Sequence, residues 1–229
     1  MSMPPIGAPA APPLPLTNEN NAAQNPWATD AIAAKFANDR FFINQKILSL
    51  GNKYYVYDEF NAPLFFVDRP VLKLKMEFTV YEDDSKRRPL LSVTQDSVFT
   101  IINFKFIIRD ANGQVIGIMK RDGWQSMLRR TWMILDAQEQ LIATATEDSM
   151  GKAIARRIFA ATDLEIINAL IRTNFYLYRA DGTTKFGEFL RKLALTDKYE
   201  MNVQADPERT FDRRLAVALA ILLDNAERR

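Results

Sequence analysis

The 229-residue chain contains no cysteine and no histidine. Disulfides, Cys/His zinc sites and haem-attachment motifs are therefore excluded, and so is every catalytic triad that relies on an imidazole base. The sequence also lacks a phosphate-binding glycine loop, a dinucleotide fingerprint and a nucleophile elbow. We therefore expect a protein that is not an enzyme and that carries no cofactor.

The net charge is only +2, and 48% of the residues are hydrophobic. Such a small charge does not indicate nucleic acid, so we expect no nucleic-acid partner. The hydrophobic content supports one good core, and the length that remains after the N-terminal segment is that of one domain. Local basic clusters are still compatible with anionic groups.

The N-terminal segment is rich in proline, since seven of the eleven prolines fall between Pro4 and Pro26 among Ala, Asn and Gln. This composition predicts a disordered tail over residues 1–40. No basic region precedes an apolar stretch there, so we expect no secretory signal and a cytoplasmic location. PxxP-like spacings in the tail also suit a protein partner with a proline-binding groove.

A short helix is expected within this tail, over residues 26–37. Asn25 and Pro26 are typical of a helix start, and Ile32 and Phe36 then lie on one face. Its expected role is to dock the tail on the domain.

From residue 41 onward the chain repeats one unit: a strand, a turn with an aspartate, and a second apolar strand. Aspartates at such positions usually cap the turn through their own backbone, and Gly113 and Gly182 tolerate a positive φ. We therefore expect successive hairpins with structural turn acids. These acids are Asp58, Asp110, Asp136 and Asp181.

A further strand over 71–80 alternates apolar residues with Lys73, Lys75 and Glu77, which predicts one buried and one wet face. Hairpins that follow one another without crossover helices favour an antiparallel sheet. A sheet of about ten strands tends to close into a barrel, because closure removes its exposed edges.

Between the third and fourth hairpins the spacing of the hydrophobic residues changes. Residues 149–159 place apolar and basic side chains on different faces, which predicts an amphipathic helix. Residues 163–172 fit both a helix and a strand.

The sequence ends in an unbroken apolar run from Leu215 to Leu223. A helix that is apolar all round must be enclosed by protein or lipid. This run rises only about 14 Å, whereas a bilayer core needs about 20 residues. We expect a helix over 210–226 inside the barrel of a domain spanning 41–229, with a tail lying on a membrane as the alternative. We expect Leu215, Leu219, Leu222 and Leu223 to lie along the axis of the barrel.

The segments FFINQKILSLGNKYYVYD and VIGIMKRDGWQSMLRRTWMILD, the repeated hairpins and the terminal apolar helix resemble the LURP-one-related and phospholipid scramblase families. These families share the Tubby C-terminal-like fold, a β-barrel around a hydrophobic C-terminal helix. The resemblance covers nearly all of the chain beyond the tail, which is itself similar to the proline-rich segment of scramblases. It implies a mainly β fold, a closed antiparallel barrel with one or two extra short helices.

Tubby-like members bind phosphoinositide head groups through basic barrel residues, so the resemblance implies a site for anionic phospholipid. Arginine forks and lysine charges suit phosphate, and an indole between basic pairs favours a membrane interface. The alternative is that these residues only cover the outside of a barrel, and that the indole fills the core. The candidates are Lys73, Lys75, Lys120, Arg121, Trp124, Arg129 and Arg130.

A calcium site is not expected. Scramblases carry an EF-hand-like segment before the terminal helix, and the corresponding stretch here offers Asp206, Glu208 and Asp212 only as weak candidates. The glycine that a calcium loop needs at its sharp turn is missing. Acidic clusters at 82–84 and 147–148 leave metal or acid–base chemistry as an alternative, although neighbouring residues in a strand point apart.

The resemblance and the basic residues together predict a scramblase-like protein, a membrane- or anionic-lipid-associated binding module at the inner face of the plasma membrane. A link to lipid scrambling is a weaker expectation, because a helix sealed in a barrel offers lipid no hydrophilic path. The alternative is a soluble interaction barrel whose proline-rich tail binds a protein partner.

Overall fold

The computed structural model describes residues 30–46, 51–70, 75–96, 103–122, 130–148, 174–192 and 198–227. These stretches contain two helices and twelve strands. Several sequence predictions lie outside them, namely the tail before residue 30, the amphipathic helix over 149–159, the ambiguous segment 163–172, and the residues Lys73, Trp124 and Arg129.

The strands follow the two-residue alternation of a half-buried sheet. In the first strand Phe41, Ile43 and Gln45 are buried, and the residues between them are partly exposed. The helices are α1 (Asp30–Phe36) and α2 (Arg213–Glu227). The strands are β1 (Arg40–Lys46), β2 (Gly51–Tyr57), β3 (Pro63–Pro70), β4 (Glu77–Tyr81), β5 (Pro89–Gln95), β6 (Asn103–Asp110), β7 (Val115–Asp122), β8 (Thr131–Leu135), β9 (Leu141–Glu147), β10 (Phe175–Arg179), β11 (Lys185–Lys192) and β12 (Lys198–Asn202).

The twelve strands form one closed antiparallel barrel, in which each strand pairs with its sequence neighbours and β1 pairs with β12. The predicted fold class is therefore confirmed, but the expected number of about ten strands is too low. Two strands lack the apolar alternation by which the other strands were predicted from the sequence. Strand β5 begins with Pro89 after a polar turn, and β12 contains Glu200, whose carboxylate accepts a hydrogen bond from Arg40 of β1 at 2.8 Å.

The hairpin turns confirm the structural role of their aspartates. The Oδ1 atom of Asp58 accepts the backbone N–H groups of Phe60 and Ala62 at 2.9 and 2.7 Å. Gly113 supplies the positive φ of 78° that its turn requires. Comparable backbone N–H bonds reach Asp110, Asp136 and Asp181.

Helix α2 lies inside the barrel. Every residue from Leu215 to Leu223 is at most 1% exposed, Leu219 and Leu222 included, which confirms that protein encloses the apolar run. Gly117 of β7 allows the helix to come close, because a Cβ atom there would lie 2.8 Å from Cδ2 of Leu215. Among the described residues, no helix is both long and apolar enough to cross a membrane.

Helix α2 begins at Arg213, later than the predicted residue 210, because Asp212 caps it. The Oδ1 atom of Asp212 accepts the backbone N–H of Arg214 at 2.8 Å. Arg213 itself is only 4% exposed, and its guanidinium donates to Asp39 at 2.7 Å. Since Asp39 directly precedes β1, this bond ties the start of the axial helix to the first strand.

Helix α1 covers Asp30–Phe36, within the predicted range of 26–37. Ile32 is fully buried, and the ring of Phe36 stacks on Phe65 with ring centroids 4.3 Å apart. The helix therefore packs against the barrel, as its apolar face predicts.

Candidate functional site

The two ends of the barrel differ in their chemistry. One end carries the aspartate turns and the start of α2. The other, which we call the C-terminal end of the barrel, holds the last turns of α2 around Leu222 and Asn225. Most residues that connect the strands at this second end lie outside the described stretches, but the strand ends and their inward side chains are described.

Inward side chains change from apolar to polar at the C-terminal end. Trp132 of β8 faces inward and is 2% exposed. The strand register sets Arg121 of β7 directly opposite Trp132, and Phe104 of β6 directly opposite Arg121. Directly opposed residues of antiparallel strands share one face of the sheet, so Arg121 also points towards the interior.

A cavity of about 130 Å³ opens at this end. Leu222 and Asn225 contribute the helix side of its wall. Asn225 is fixed by two bonds, because its Oδ1 accepts the hydroxyl of Tyr54 at 3.2 Å and its Nδ2 donates to the carbonyl of Ile221 at 2.6 Å. We call this space the arginine cavity, and its remaining wall consists of Met76, Phe104, Phe106, Arg121, Arg130 and Trp132.

The indole of Trp132 belongs to this wall and has an unsatisfied donor. Its ring packs on Phe106 with centroids 5.9 Å apart, but Nε1 is buried and has no hydrogen-bond partner among the described residues. The side-chain amide of Gln45, 6% exposed on β1, also has none in this part of the chain. A buried unsatisfied donor costs about 1–3 kcal/mol. Because Nε1 of Trp132 has essentially no accessible surface, a ligand in the cavity would not reach it.

The described charges in the wall of the arginine cavity are both positive, from Arg121 and Arg130. Acidic groups lie nearby without lining the cavity. Glu147, 8% exposed, accepts the backbone N–H of Arg130 at 3.2 Å, and Asp224 is buried near the end of α2, where the helix dipole is negative. The described charges around the cavity are therefore balanced, but the described residues that line it are cationic.

Lys120 lies on the opposite face of β7 from Arg121, because successive side chains of a strand alternate. Its ammonium donates to Glu139 at 2.6 Å, and Lys105 of β6 donates to the other oxygen of the same carboxylate at 2.8 Å. The bonds from Lys105 and Lys120 lower the pKa of Glu139 to about 2. The sequence grouped Lys120 with Arg121, but the structure places Lys120 in a separate outer ion cluster.

The remaining candidates are not brought to the cavity by the described residues. Lys75 is exposed, and its ammonium donates to the backbone carbonyl of Asp96 at 2.9 Å. Of the predicted lipid-binding residues, the structure thus brings Arg121 and Arg130 together.

Two of the three weak calcium candidates, Asp206 and Asp212, have structural contacts instead. Burial opposes ionisation of Asp206, but the N–H of Phe211 and the guanidinium of Arg213 outweigh it, so the pKa of Asp206 lies well below its usual range. Asp212 caps α2 and Glu208 is exposed. In the part of the chain that the structure describes, no group of three or more acidic side chains could hold a metal ion.

Sequence reasoning missed Trp132 as part of the site and favoured Trp124 for its basic flanks. A signal was available, because Trp132 shares the strand phase of Ile134, which is fully buried. That phase predicts an inward indole. The contribution of Asn225 was not predictable, since it depends on where α2 ends against the strands.

These features define the class of protein: a closed twelve-stranded antiparallel barrel whose interior is filled by a C-terminal helix. The LURP-one-related family model matches residues 65–224, which is more than half of the sequence, so the chain belongs to the LURP-one-related family. The chain is similar to a protein from Arabidopsis thaliana of known crystal structure, at 11% identity and a TM-score of 0.49, with 86% of this chain and 98% of that one covered. No curated protein matches the sequence.

Proposed function

We propose that this LURP-one-related barrel binds an anionic membrane lipid whose head group enters the arginine cavity. The family and the fold are compatible with a lipid-binding barrel or an interaction barrel. The observation that carries the choice is that two arginines, Arg121 and Arg130, line one cavity, and that no acidic residue of the described stretches lines it.

The chemistry of these groups suits an anionic oxygen ligand. Arginine presents planar donors that match phosphate, and charge-assisted hydrogen bonds are about twice as strong as neutral ones. Phe104 and Phe106 supply an apolar part of the same wall. Anionic lipids are concentrated in the cytoplasmic leaflet, so the proposal includes a peripheral position at the inner face of the plasma membrane.

Lipid scrambling is not part of this proposal. Helix α2 fills the barrel with residues that are at most 1% exposed from Leu215 to Leu223. A lumen packed in this way leaves no polar path along which a head group could move.

Vesicle co-sedimentation of the full chain tests the proposal, with phosphatidylcholine vesicles that contain or lack an anionic phospholipid. The key variant is Arg121→Gln, and its matched control is Lys120→Gln. Both remove one positive charge from adjacent positions of β7, but only Arg121 lines the cavity. Thermal unfolding of both variants checks that the barrel stays folded.

We expect Arg121→Gln to weaken binding to anionic vesicles about tenfold or more, because charge-assisted bonds are lost. Lys120→Gln should bind like the unmodified protein. Equal binding by both variants, or a loss confined to Lys120→Gln, would place the contact outside the cavity and refute the proposal. Absence of binding to either vesicle would favour the interaction barrel instead.

A further inference from the structure

We propose that the proline-rich segment of residues 4–16 docks on an aromatic surface on the outside of the same chain's barrel. The arginine cavity faces inward, so this inference is independent of the proposed function. The aromatic surface consists of outward side chains of β1 to β4, namely Phe42, Tyr55, Tyr57, Phe66 and Tyr81.

The rings of the aromatic surface form one continuous row. Tyr55 stacks on Tyr57 of the same strand, with ring centroids 6.4 Å apart. The ring centroid of Phe66 lies 5.2 Å from that of Tyr55 and 6.5 Å from that of Tyr81. Phe42 stands directly opposite Tyr57 in the register of β1 and β2, so it extends the row onto β1.

This row lies on the outer face of the barrel, because its neighbours along the strands point into the core. Val56, Phe65 and Val80 are at most 2% exposed and belong to the core. Phe66 is also 2% exposed, although it points outward, and the ammonium of Lys86 lies 5.9 Å from its ring centroid. Phe66 therefore forms the floor of the surface, and the three tyrosines around it are partly exposed.

The turns that border the row are among the described residues. Tyr57 is followed by the turn over 58–62, and Tyr81 is followed by the turn over 82–88. Phe60, in the first of these turns, is 84% exposed. A contiguous apolar patch on the outside of a protein marks an interaction site, so the row and Phe60 indicate a surface that a partner covers.

The proline-rich segment has the chemistry that suits this surface. Residues 4–16 read PPIGAPAAPPLPL and carry no charged side chain. Pro9, Pro12 and Pro15 repeat every three residues, and a polyproline II helix has three residues per turn, so in that conformation the three rings share one face. Segments of this kind dock in aromatic-lined grooves. Their carbonyl groups make no internal hydrogen bonds and can accept tyrosine hydroxyls.

The segment is also attached on the correct side of the barrel. Helix α1 follows the tail directly, and the Nζ atom of its Lys35 lies 3.6 Å from a carboxylate oxygen of Glu82. Glu82 is the residue next to Tyr81. The tail therefore joins the domain beside the aromatic surface.

The connecting chain is long enough to reach this surface. Pro15 lies fifteen residues before Asp30, and fifteen extended residues span up to about 50 Å. A short flexible linker gives an effective concentration of about 1 mM. A contact with a dissociation constant of about 0.1 mM would then be occupied in about 90% of the molecules, and a tenfold weaker contact in about half.

A structural alternative gives the aromatic row another task. Cross-strand aromatic pairs stabilise a sheet, and the row would then serve only that purpose. This role predicts that substitutions in the row change stability and that the tail does not approach the surface. The tail of a second copy is the other occupant that a test must distinguish.

The experiment uses the full chain and its lack of cysteine. Ala11→Cys provides a single site for a nitroxide label in the tail, and the label broadens the nuclear magnetic resonance signals of nuclei close to it. The amide signals of Tyr55, Tyr57 and Tyr81 report on the aromatic surface. Those of β8 serve as the internal reference, because β8 lies on the opposite side of the ring of strands.

Three labelled variants test the contact. In the tail, proline is replaced by alanine at positions 9, 12 and 15 together, which leaves the barrel untouched. On the surface, Tyr57→Ala and Phe60→Ser each remove one aromatic ring. The matched control is Leu141→Ser, because Leu141 is 39% exposed on the distant strand β9. Thermal unfolding checks each fold, and Phe60→Ser keeps the test valid if Tyr57→Ala lowers the stability.

We expect the label to broaden the amide signals of the aromatic surface and to leave those of β8 sharp. The triple proline variant, Tyr57→Ala and Phe60→Ser should each weaken the contact about tenfold, so that the occupancy falls from about 90% to about half. Leu141→Ser should keep the full broadening. An excess of a free peptide of residues 4–16 should displace the tail and restore the sharp signals.

Broadening that is absent, or that is equal for β8 and the aromatic surface, would refute the docking. Broadening that survives the triple proline variant would show that proline recognition is not its cause. A mixture of labelled protein with unlabelled, nitrogen-15-enriched protein identifies the occupant. If the enriched protein shows the same broadening in that mixture, the tail of a second copy covers the surface and the intramolecular contact is wrong.

Discussion

Replacement of Leu219 by aspartate should unfold the whole barrel. Leu219 is fully buried in the middle of α2. Truncation of such a leucine to alanine costs about 3–5 kcal/mol, and a carboxyl group without a partner adds several kcal/mol more. The sum approaches the entire stability of a domain, which is about 5–15 kcal/mol. We therefore expect Leu219→Ala to fold with a lower stability and Leu219→Asp not to fold.

Near-ultraviolet circular dichroism and chemical denaturation of the full chain measure this effect. The matched control is Leu141→Asp, the same chemical change on β9 at a side chain that is 39% exposed. That control should lie within about 0.5 kcal/mol of the unmodified protein. If Leu219→Asp keeps the near-ultraviolet spectrum and denaturation midpoint of Leu141→Asp and merely becomes more soluble, α2 is not the axis of the barrel.

Two further predictions concern how α2 is held. Asp206→Asn should lower stability at neutral pH by about 3 kcal/mol, since it leaves buried Arg213 with fewer acceptors. The native pKa of Asp206 is lowered, so its contribution to the free energy of unfolding is complete above about pH 4 and is lost as the pH falls. The variant should therefore lose less stability in acid than the unmodified protein. If denaturation at a series of acidic pH values shows the same loss for both proteins, this account is wrong. Gly117→Ala should lower the free energy of unfolding in denaturant by about 1–3 kcal/mol, because its Cβ would overlap Leu215. If the destabilisations of Gly117→Ala and Leu215→Ala are strictly additive in the double variant, the overlap is not the cause.

The barrel was predictable because its determinants are local. The Asp58, Asp110 and Asp136 turns each carry their own capping carboxylate, and the strands between them alternate with period two. Strand β12 was not predictable from such signals. Its buried Glu200 accepts a hydrogen bond from Arg40 of β1, and that pairing forms when the barrel closes.

The candidate site was predictable only in part, for a geometric reason. Composition identified Arg121 and Lys120 as basic neighbours, but charge alone does not tell which face of β7 each one occupies. The alternation of side chains along the strand gives this information. Met119 is fully buried and lies two residues before Arg121, so both side chains point to the same face of β7. The alternation of side chains along β7 and β8 therefore shows that Arg121 points inward next to Trp132. Lys120 points outward and donates to Glu139.

The filled interior determines where this fold can place a ligand site. In an empty barrel any inward residue could contribute to binding, but here the run from Leu215 to Leu223 already occupies the inward space. A ligand that uses inward side chains must therefore bind at one of the two ends of α2. At the C-terminal end of the barrel the wall changes from apolar to cationic, because Arg121 and Arg130 line it. The length of the axial helix thus fixes the depth of the arginine cavity, so lengthening the apolar run past Asn225 should close the site and leave the barrel folded.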